Sequence, residues 1–373
     1  MRLSRCLNTC ATILLLSVLA AKGAEQPRTL EIGEPAPDFK LPGTDGREHS
    51  LKDFASARIL VIVFTCNHCP TAQAYEDRIQ KIAADYKSRG VALVAVSPND
   101  PLALRLDELG YTDLSDSLEE MKVRAKDKGF TFPYLYDGEK QELSKAMGPA
   151  ATPHVFVFDS QRKLRYAGRV DDNERIGKAT THDARNAIDA LLEGKPVPVE
   201  KTKTFGCSIK WADKRASAKN ALERWAREEV TLDPADPPSI KALLKNDSGK
   251  LRLINVWATW CGPCVVEFPE LVAIFRMYRG REFELVTISA DEPEKRDAAL
   301  AFLKKQQAST KNYLFSVDDR YKLIEAVDPQ WPGSLPYTLL VEQEGKILYR
   351  QTGEFDPLAL KRAIVSRLGR YYK

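Results

Sequence analysis

The stretch that most constrains this chain is an apolar run that stops at a closely spaced cysteine pair. Leu251, Leu253, Ile254 and Val256 read as a strand that leads through Trp257 to Cys261 and Cys264. Beyond the second cysteine, Phe268, Leu271, Val272 and Phe275 recur at helical spacing. The two sulfurs therefore sit where a strand hands over to a helix. First-turn N–H groups and the helix dipole place partial positive charge at Cys261, favour its thiolate and lower its pKa. Cys264 comes round the same turn and can close an intramolecular disulfide. A C-x-x-C pair is also half of a zinc site, and a second pair, Cys66 and Cys69, does exist. Each pair, however, is wedged between an apolar strand and an amphipathic helix, and Trp260 and Pro263 have no part in binding metal. No metal ligands and no cofactor beyond redox-active disulfides are expected, and no His follows either pair to suit covalent haem attachment.

W-C-G-P-C after a buried strand resembles the thioredoxin family. The longer run from Val256 to Pro269, V-W-A-T-W-C-G-P-C-V-V-E-F-P, resembles its exported, TlpA-type branch. Nearer the N-terminus, Ile32 to Phe54 resembles the start of the alkyl hydroperoxide reductase and thiol-specific antioxidant (peroxiredoxin-like, redoxin) group, which shares that fold. These resemblances imply an α/β protein made of two tandem thioredoxin-like folds, each a central mixed sheet flanked by helices.

Internal comparison points the same way. The first unit has the strand Ile59 to Phe64, then T-C-N-H-C-P, then a helix with Tyr75, Ile79, Ile82 and Tyr86 on one face. The second repeats the plan with Leu251 to Trp257, C-G-P-C and its helix. Each continues through another buried strand, Val91 to Val96 or Phe283 to Ile288, to an X-Pro step, Thr152-Pro153 or Leu335-Pro336. A final strand pair and a closing helix follow in both halves, the helices near Asp183 to Leu192 and Pro357 to Leu368. The expected division is a signal peptide over residues 1–23, a peroxiredoxin-like domain over 28–193, a linker with a short helix over 194–229 and a TlpA-type domain over 230–373. The linker opens on Lys195-Pro196-Val197-Pro198, an extended spacer by composition. Its Trp211 and Trp225 suggest that it rests on something.

Arg2 and Arg5 precede an apolar run from Ala11 to Ala21 and the small residues Gly23 and Ala24, the pattern of a secretory signal. The run is short for a membrane span, so membrane contact is expected only if the segment stays uncleaved. The expectation is an exported protein of the periplasm or cell envelope. Cleavage would remove three basic residues and no acid, taking the net charge from +4 to +1, which gives no reason to expect a nucleic-acid partner. It would also remove Cys6 and Cys10, leaving the two pairs and a lone Cys207. Burial is the leading expectation for Cys207, with pairing to another molecule and exchange with an active pair left open.

Beside Cys66, the imidazole of His68 is expected to stabilise a thiolate and make the first disulfide the better oxidant. His154 follows Pro153, while His49 and His182 lie in polar surroundings. Glu267 follows Cys264 by one helical turn. The TlpA-type resemblance implies that it is a partly buried acid that moves protons, and Asn255, where ordinary thioredoxins carry an acid, cannot act as a base. The same resemblance implies that Pro153 and Pro336 are cis and, with Trp260, border substrate grooves. It implies too that Cys66 and Cys261 attack substrate disulfides while Cys69 and Cys264 resolve the mixed disulfides.

The function expected is that of a thiol–disulfide oxidoreductase acting on protein or small thiol and disulfide substrates, fed by an upstream electron donor, with a relay between its domains. A thiol-dependent peroxidase and a non-enzymatic metal-binding or docking module remain as alternatives. The peroxidatic pattern P-x-x-x-T/S-x-x-C is broken here. Counted back from Cys69 its Thr and Pro positions hold Cys66 and Ile62; counted back from Cys66 they hold Val63 and Ile59. Stopped-flow mixing of the reduced protein with hydrogen peroxide should therefore show no fast, saturating oxidation at the first pair.

Overall fold

The computed structural model describes residues 27–372; the expected signal segment lies outside them. The first half begins with a small hairpin, β1 (Lys40–Pro42) and β2 (Glu48–Ser50). A β-α-β unit follows, made of β3 (Ile59–Phe64), α1 (Pro70–Lys87) and β4 (Val91–Ser97). Then come α2 (Leu118–Lys128), β5 (Tyr134–Tyr136), α3 (Glu142–Met147), β6 (His154–Phe158), β7 (Leu164–Gly168) and α4 (Asp183–Leu192). The sheet order is β5-β4-β3-β6-β7, with β3, β4 and β5 parallel and β6 and β7 antiparallel. Every residue of β3 is buried, which is why the strand reads as an unbroken apolar run rather than an alternating one. On one face α1 presents Tyr75, Ile79, Ile82 and Tyr86 to Val61, Val63 and Val157, each buried side chain contributing about 1.5–3 kcal/mol.

After a connecting helix, α5 (Arg215–Trp225), the second half repeats the plan. It runs β8 (Asp233–Ala235), α6 (Pro237–Lys245), β9 (Leu251–Trp257), α7 (Gly262–Tyr278), β10 (Phe283–Ser289), α8 (Arg296–Lys305), β11 (Lys311–Phe315) and α9 (Arg320–Val327). It closes with β12 (Tyr337–Val341), β13 (Ile347–Thr352) and α10 (Pro357–Leu368). The sheet order is β13-β12-β9-β10-β11-β8, the first sheet's order with one more edge strand. Both Thr152-Pro153 and Leu335-Pro336 are cis, at the head of β6 and β12.

The connecting segment is not a free spacer. Val197 is buried in the first half's core, and Lys201 runs beside Ala167 of β7. Further on, Lys210 donates its N–H to Asn99 and its carbonyl accepts from Asp100 and Gln141. Trp211 is buried, and Trp225 lies under the Arg276 guanidinium of α7 at 5.6 Å.

The halves meet through the stretch 101–116 of the first. Leu104 and Leu109 join the apolar cluster of Leu271, Met277 and Tyr278. Tyr278 donates through its hydroxyl to the Thr112 carbonyl at 2.8 Å, and Arg281 donates to the Gly110 carbonyl at 2.6 Å while covering the Tyr111 ring at 3.8 Å. Arg370 reaches buried Asp113 at 2.6 Å. Burial alone would raise the Asp113 pKa, but the hydrogen bond and charge of Arg370 outweigh it and hold the carboxyl below its usual range. Arg370→Leu should lower stability by about 1–3 kcal/mol, read by urea denaturation. Because the Asp113 pKa is depressed, this contribution is full above the unfolded-state value and lost as pH falls, so wild type and variant should converge in acid.

Candidate active site

At the second site β9 carries the chain to Trp257, and Asp291 fixes the turn that follows. Asp291 accepts from the Thr259 N–H and hydroxyl and from Ser289. Cys261 caps α7, its Sγ accepting the N–H of Cys264 at 3.3 Å, and the two sulfurs form a disulfide. Trp260 is exposed beside them, with the Arg320 guanidinium 5.0 Å from its ring.

Glu267 lies one turn along α7 and is buried. Its carboxylate accepts from Asn255 Nδ2 at 3.0 Å and from the Phe355 N–H at 3.2 Å. Burial outweighs these bonds and raises its pKa to about 7, where an acid can both give and take a proton at neutral pH.

At the first site the register exposes an offset that spacing hides. His154, just after cis-Pro153, pairs with Phe64, and Tyr337, just after cis-Pro336, pairs with Val256. Five residues beyond Phe64 stands Cys69; five beyond Val256 stands Cys261. Cys69 is the helix cap, its Sγ accepting the N–H of Ala72 at 3.4 Å with Pro70 at the first helical position. Cys69 thus matches Cys261, Cys66 matches Ala258, and Ala72 stands where the second site has Cys264. The expectation that Cys66 is the attacking sulfur and Cys69 the resolving one is corrected. The helix N-terminus, which stabilises a thiolate, lies at Cys69.

Electrostatics agree with the geometry. Burial and the hydrogen bond to Cys69 push the Cys66 thiol well up, and Cys66 contacts the Thr152 hydroxyl at 3.2 Å. Cys69 is shifted well down. Burial opposes the shift, but hydrogen bonds from Cys207 and Cys66, the His68 charge and the Ala72 N–H outweigh it.

His68 is buried rather than on a solvent-facing loop. Its Nδ1 meets Asp116 at 2.6 Å. Burial would lower the imidazole pKa, yet the Asp116 charge and hydrogen bond raise it. The His68 charge contributes to lowering the Cys69 pKa, whereas the expectation had placed its effect on Cys66. Asp116 also accepts the N–H groups of Asn67 and His68 and the amide of Asn99. Cys66, His68 and Asp116 bring one ligand atom each within 4.8 Å of one another, although both carboxylate oxygens are already engaged.

His154 packs against Phe156, the rings tilted with centroids 4.4 Å apart, and accepts the Ala150 N–H. Burial lowers its pKa to about 4, so it stands neutral and bonded away from the sulfurs. His49 is held by exposed contacts to Asp45. Cys207, expected to be buried, is only partly so, and it joins the Cys66 and Cys69 cluster. Asp116 and Asp291 escaped sequence reasoning because each lies in a polar stretch with no apolar periodicity.

Two mixed sheets, each with a cysteine capping a helix beside a cis-proline, define a pair of thioredoxin-like folds. The chain belongs to the Redoxin family, whose model matches twice, over residues 31–188 and 229–364. Among similar proteins, a thiol-disulfide oxidoreductase ResA of Bacillus cereus is 30% identical over 114 residues, 31% of this chain and 61% of its own length. One from Geobacillus thermodenitrificans is 27% identical over 163 residues, 41% of this chain and 82% of its own length. A crystal structure of a hypothetical protein from Sinorhizobium meliloti is 36% identical with a TM-score of 0.45, over 50% of this chain and 98% of that one.

The Glu267 pKa is raised, so neutral Glu267 stabilises the fold fully below its ordinary value of 4.5, and that contribution is lost as pH rises toward about 7. Glu267→Gln should remove this decline in urea-denaturation midpoints. It should also flatten the pH dependence of disulfide reduction at Cys261–Cys264, followed through Trp260 fluorescence.

Proposed function

We propose that the protein is an exported thiol–disulfide oxidoreductase working through two dithiol sites, Cys69 with Cys66 and Cys261 with Cys264. The observation that carries this reading is the shared backbone position of Cys69 and Cys261, each a helix cap beside a cis-proline. In the exchange at the second site, the Cys261 thiolate attacks a substrate disulfide and one half leaves as a thiolate. Cys264 then attacks the Cys261 sulfur and releases the other half, and two electrons have passed from protein to substrate. Glu267 would take the proton of Cys264 as it becomes the nucleophile. Substrates are protein or small thiols and disulfides, and an external donor returns the electrons.

The two sites are proposed to differ in potential, the first being the more oxidising. The His68 cation and the α1 N-terminus stabilise the reduced form of the first pair through the Cys69 thiolate, and the Gly262-Pro263 turn holds no equivalent cation. Electrons would then run from Cys261/Cys264 to Cys66/Cys69 within one chain, where tethering keeps the effective concentration high.

The test is turnover of a protein disulfide such as insulin with dithiothreitol, together with the redox state of each pair read by alkylation and mass spectrometry. Cys261→Ser should abolish reduction at the second site, and Cys264→Ser should accumulate mixed disulfides on Cys261. With the donor limiting, Cys261→Ser should also slow reduction of Cys66/Cys69, and the wild-type rate should not depend on protein concentration. An inert wild type would overturn the reading. A first pair reduced equally fast in Cys261→Ser would leave the oxidoreductase and remove the relay.

A further inference from the structure

Of the three sulfurs clustered at the first site, the two expected to do the chemistry are sealed. Cys66 is 2% exposed and Cys69 0%, whereas Cys207 is partly exposed. Cys207 borders an open cleft of about 540 Å³ lined by Thr71, Asn173, Glu174, Phe205 and Tyr372. A thiol in solution meets Cys207 first.

Its placement is built, not incidental. Thr152, the residue before cis-Pro153, pairs antiparallel with Cys207, its N–H donating to the Cys207 carbonyl at 3.0 Å. The Cys207 N–H in turn donates to Cys69 Sγ at 3.3 Å. Gly206 has φ +141°, and a Cβ there would fall 2.0 Å from the Thr152 carbonyl oxygen, so only glycine lets the strap lie this close. Phe205 anchors one side against Tyr75 at 6.2 Å, and Lys210 anchors the other on Asn99. The edge beside cis-Pro153, open to strand addition by a partner segment, is filled by the chain's own cysteine.

We propose that Cys207 is the exchange thiol of the first site, closing a disulfide with Cys69 that links the buried Cys66/Cys69 pair to thiols in solution. This rests on the thiol–disulfide reading above. Starting from a Cys66–Cys69 disulfide, the Cys207 sulfur attacks Cys69 Sγ and gives up its proton; the Cys66–Cys69 bond breaks, and Cys66 leaves and takes up a proton, both thiols being held above the usual cysteine range by burial and their Cys69 contacts. A solution thiolate then attacks the Cys207 sulfur from the cleft and expels Cys69 as a thiolate, stabilised by the His68 charge and the Ala72 N–H. A second solution thiolate attacks the solution-derived sulfur of that mixed disulfide. It releases the oxidised small molecule and frees Cys207, which takes up a proton. Two thiols have become one disulfide, and two electrons have entered the buried pair. Attack on Cys207 is favoured because the leaving group with the lower pKa departs faster.

The experiment uses the full chain. Reduced Cys66→Ser protein is treated with limiting 4,4′-dithiodipyridine, alkylated and digested with trypsin without reduction. Cys66 and Cys69 share the peptide 59–78, and Cys207 lies alone in 204–210. The expected result is a cross-linked pair of these peptides, absent when Cys207→Ser is added. In an otherwise wild-type chain, Cys207→Ser should slow glutathione reduction of the Cys66–Cys69 disulfide by about tenfold or more, and Cys207→Ala should do the same. Cross-linked peptides missing from Cys66→Ser, or unchanged reduction in both Cys207 variants, would overturn the inference alone. A wild-type Cys66–Cys69 pair that never exchanges with glutathione would overturn the functional reading along with it.

Discussion

The Asp116 carboxylate is wholly removed from water, and an isolated buried charge of this kind costs several kcal/mol. Everything at the first site is arranged so that it is not isolated. The turn after β3 lends the N–H groups of Asn67 and His68, the end of β4 lends Asn99, and His68 lends its imidazole. Those donors fix the backbone between the two cysteines and set the cation that lowers Cys69. Three residues earlier on the same loop, Asp113 takes Arg370 and Arg362 from the second half. One short polar stretch therefore positions the His68 imidazole and docks the other domain, so the docking of α10 and the surroundings of Cys69 share a support.

The two sites show how one backbone can carry different thiol chemistry. Both present a helix-capping cysteine beside a cis-proline. In the second, the partner sulfur lies inside the helix at Cys264, with the buried acid Glu267 one turn further on. In the first, the partner lies before the helix at Cys66, in the place held by Ala258, and its neighbours are the paired His68 imidazole and Asp116 carboxylate. The sealed position of Cys66 raises its thiol pKa, while the hydrogen bonds and charge around Cys69 lower that of its partner.

Much of this was legible in the sequence for identifiable reasons. Strands Ile59–Phe64, Leu251–Trp257 and Tyr337–Val341 are covered on both faces, so their ends coincide with the ends of apolar runs. The closing helices were legible from their apolar spacing. The offset of the first cysteine pair was not read, because C-x-x-C spacing is identical in the two halves, yet a signal existed. Pro70 directly follows Cys69, proline favours the first helical position and disfavours helical backbone in the residue before it, so the helix had to begin after Cys69. Asp116 left no such mark, since its partner His68 is 48 residues away and the contact is made only by the fold. The Lys195 to Pro198 stretch read as a spacer because composition reports stiffness and not what an extended segment lies against.

The edges beside the two cis-prolines now differ in a way that bears on substrate choice. Among the described residues, an isolated bridge occupies Thr152, and none occupies Leu335. An extended peptide can add to the second edge by using groups that water otherwise satisfies, gaining main-chain hydrogen bonds as it binds. At the first edge the same peptide must lift Cys207 away, breaking the bonds from Thr152 and to Cys69 and uncovering Phe205 from Tyr75. Each hydrogen bond lost from a buried group costs about 1–3 kcal/mol if unreplaced. Strand addition at the first edge therefore carries a cost that the edge beside Leu335 does not, because Cys207 must first give up its place on Thr152.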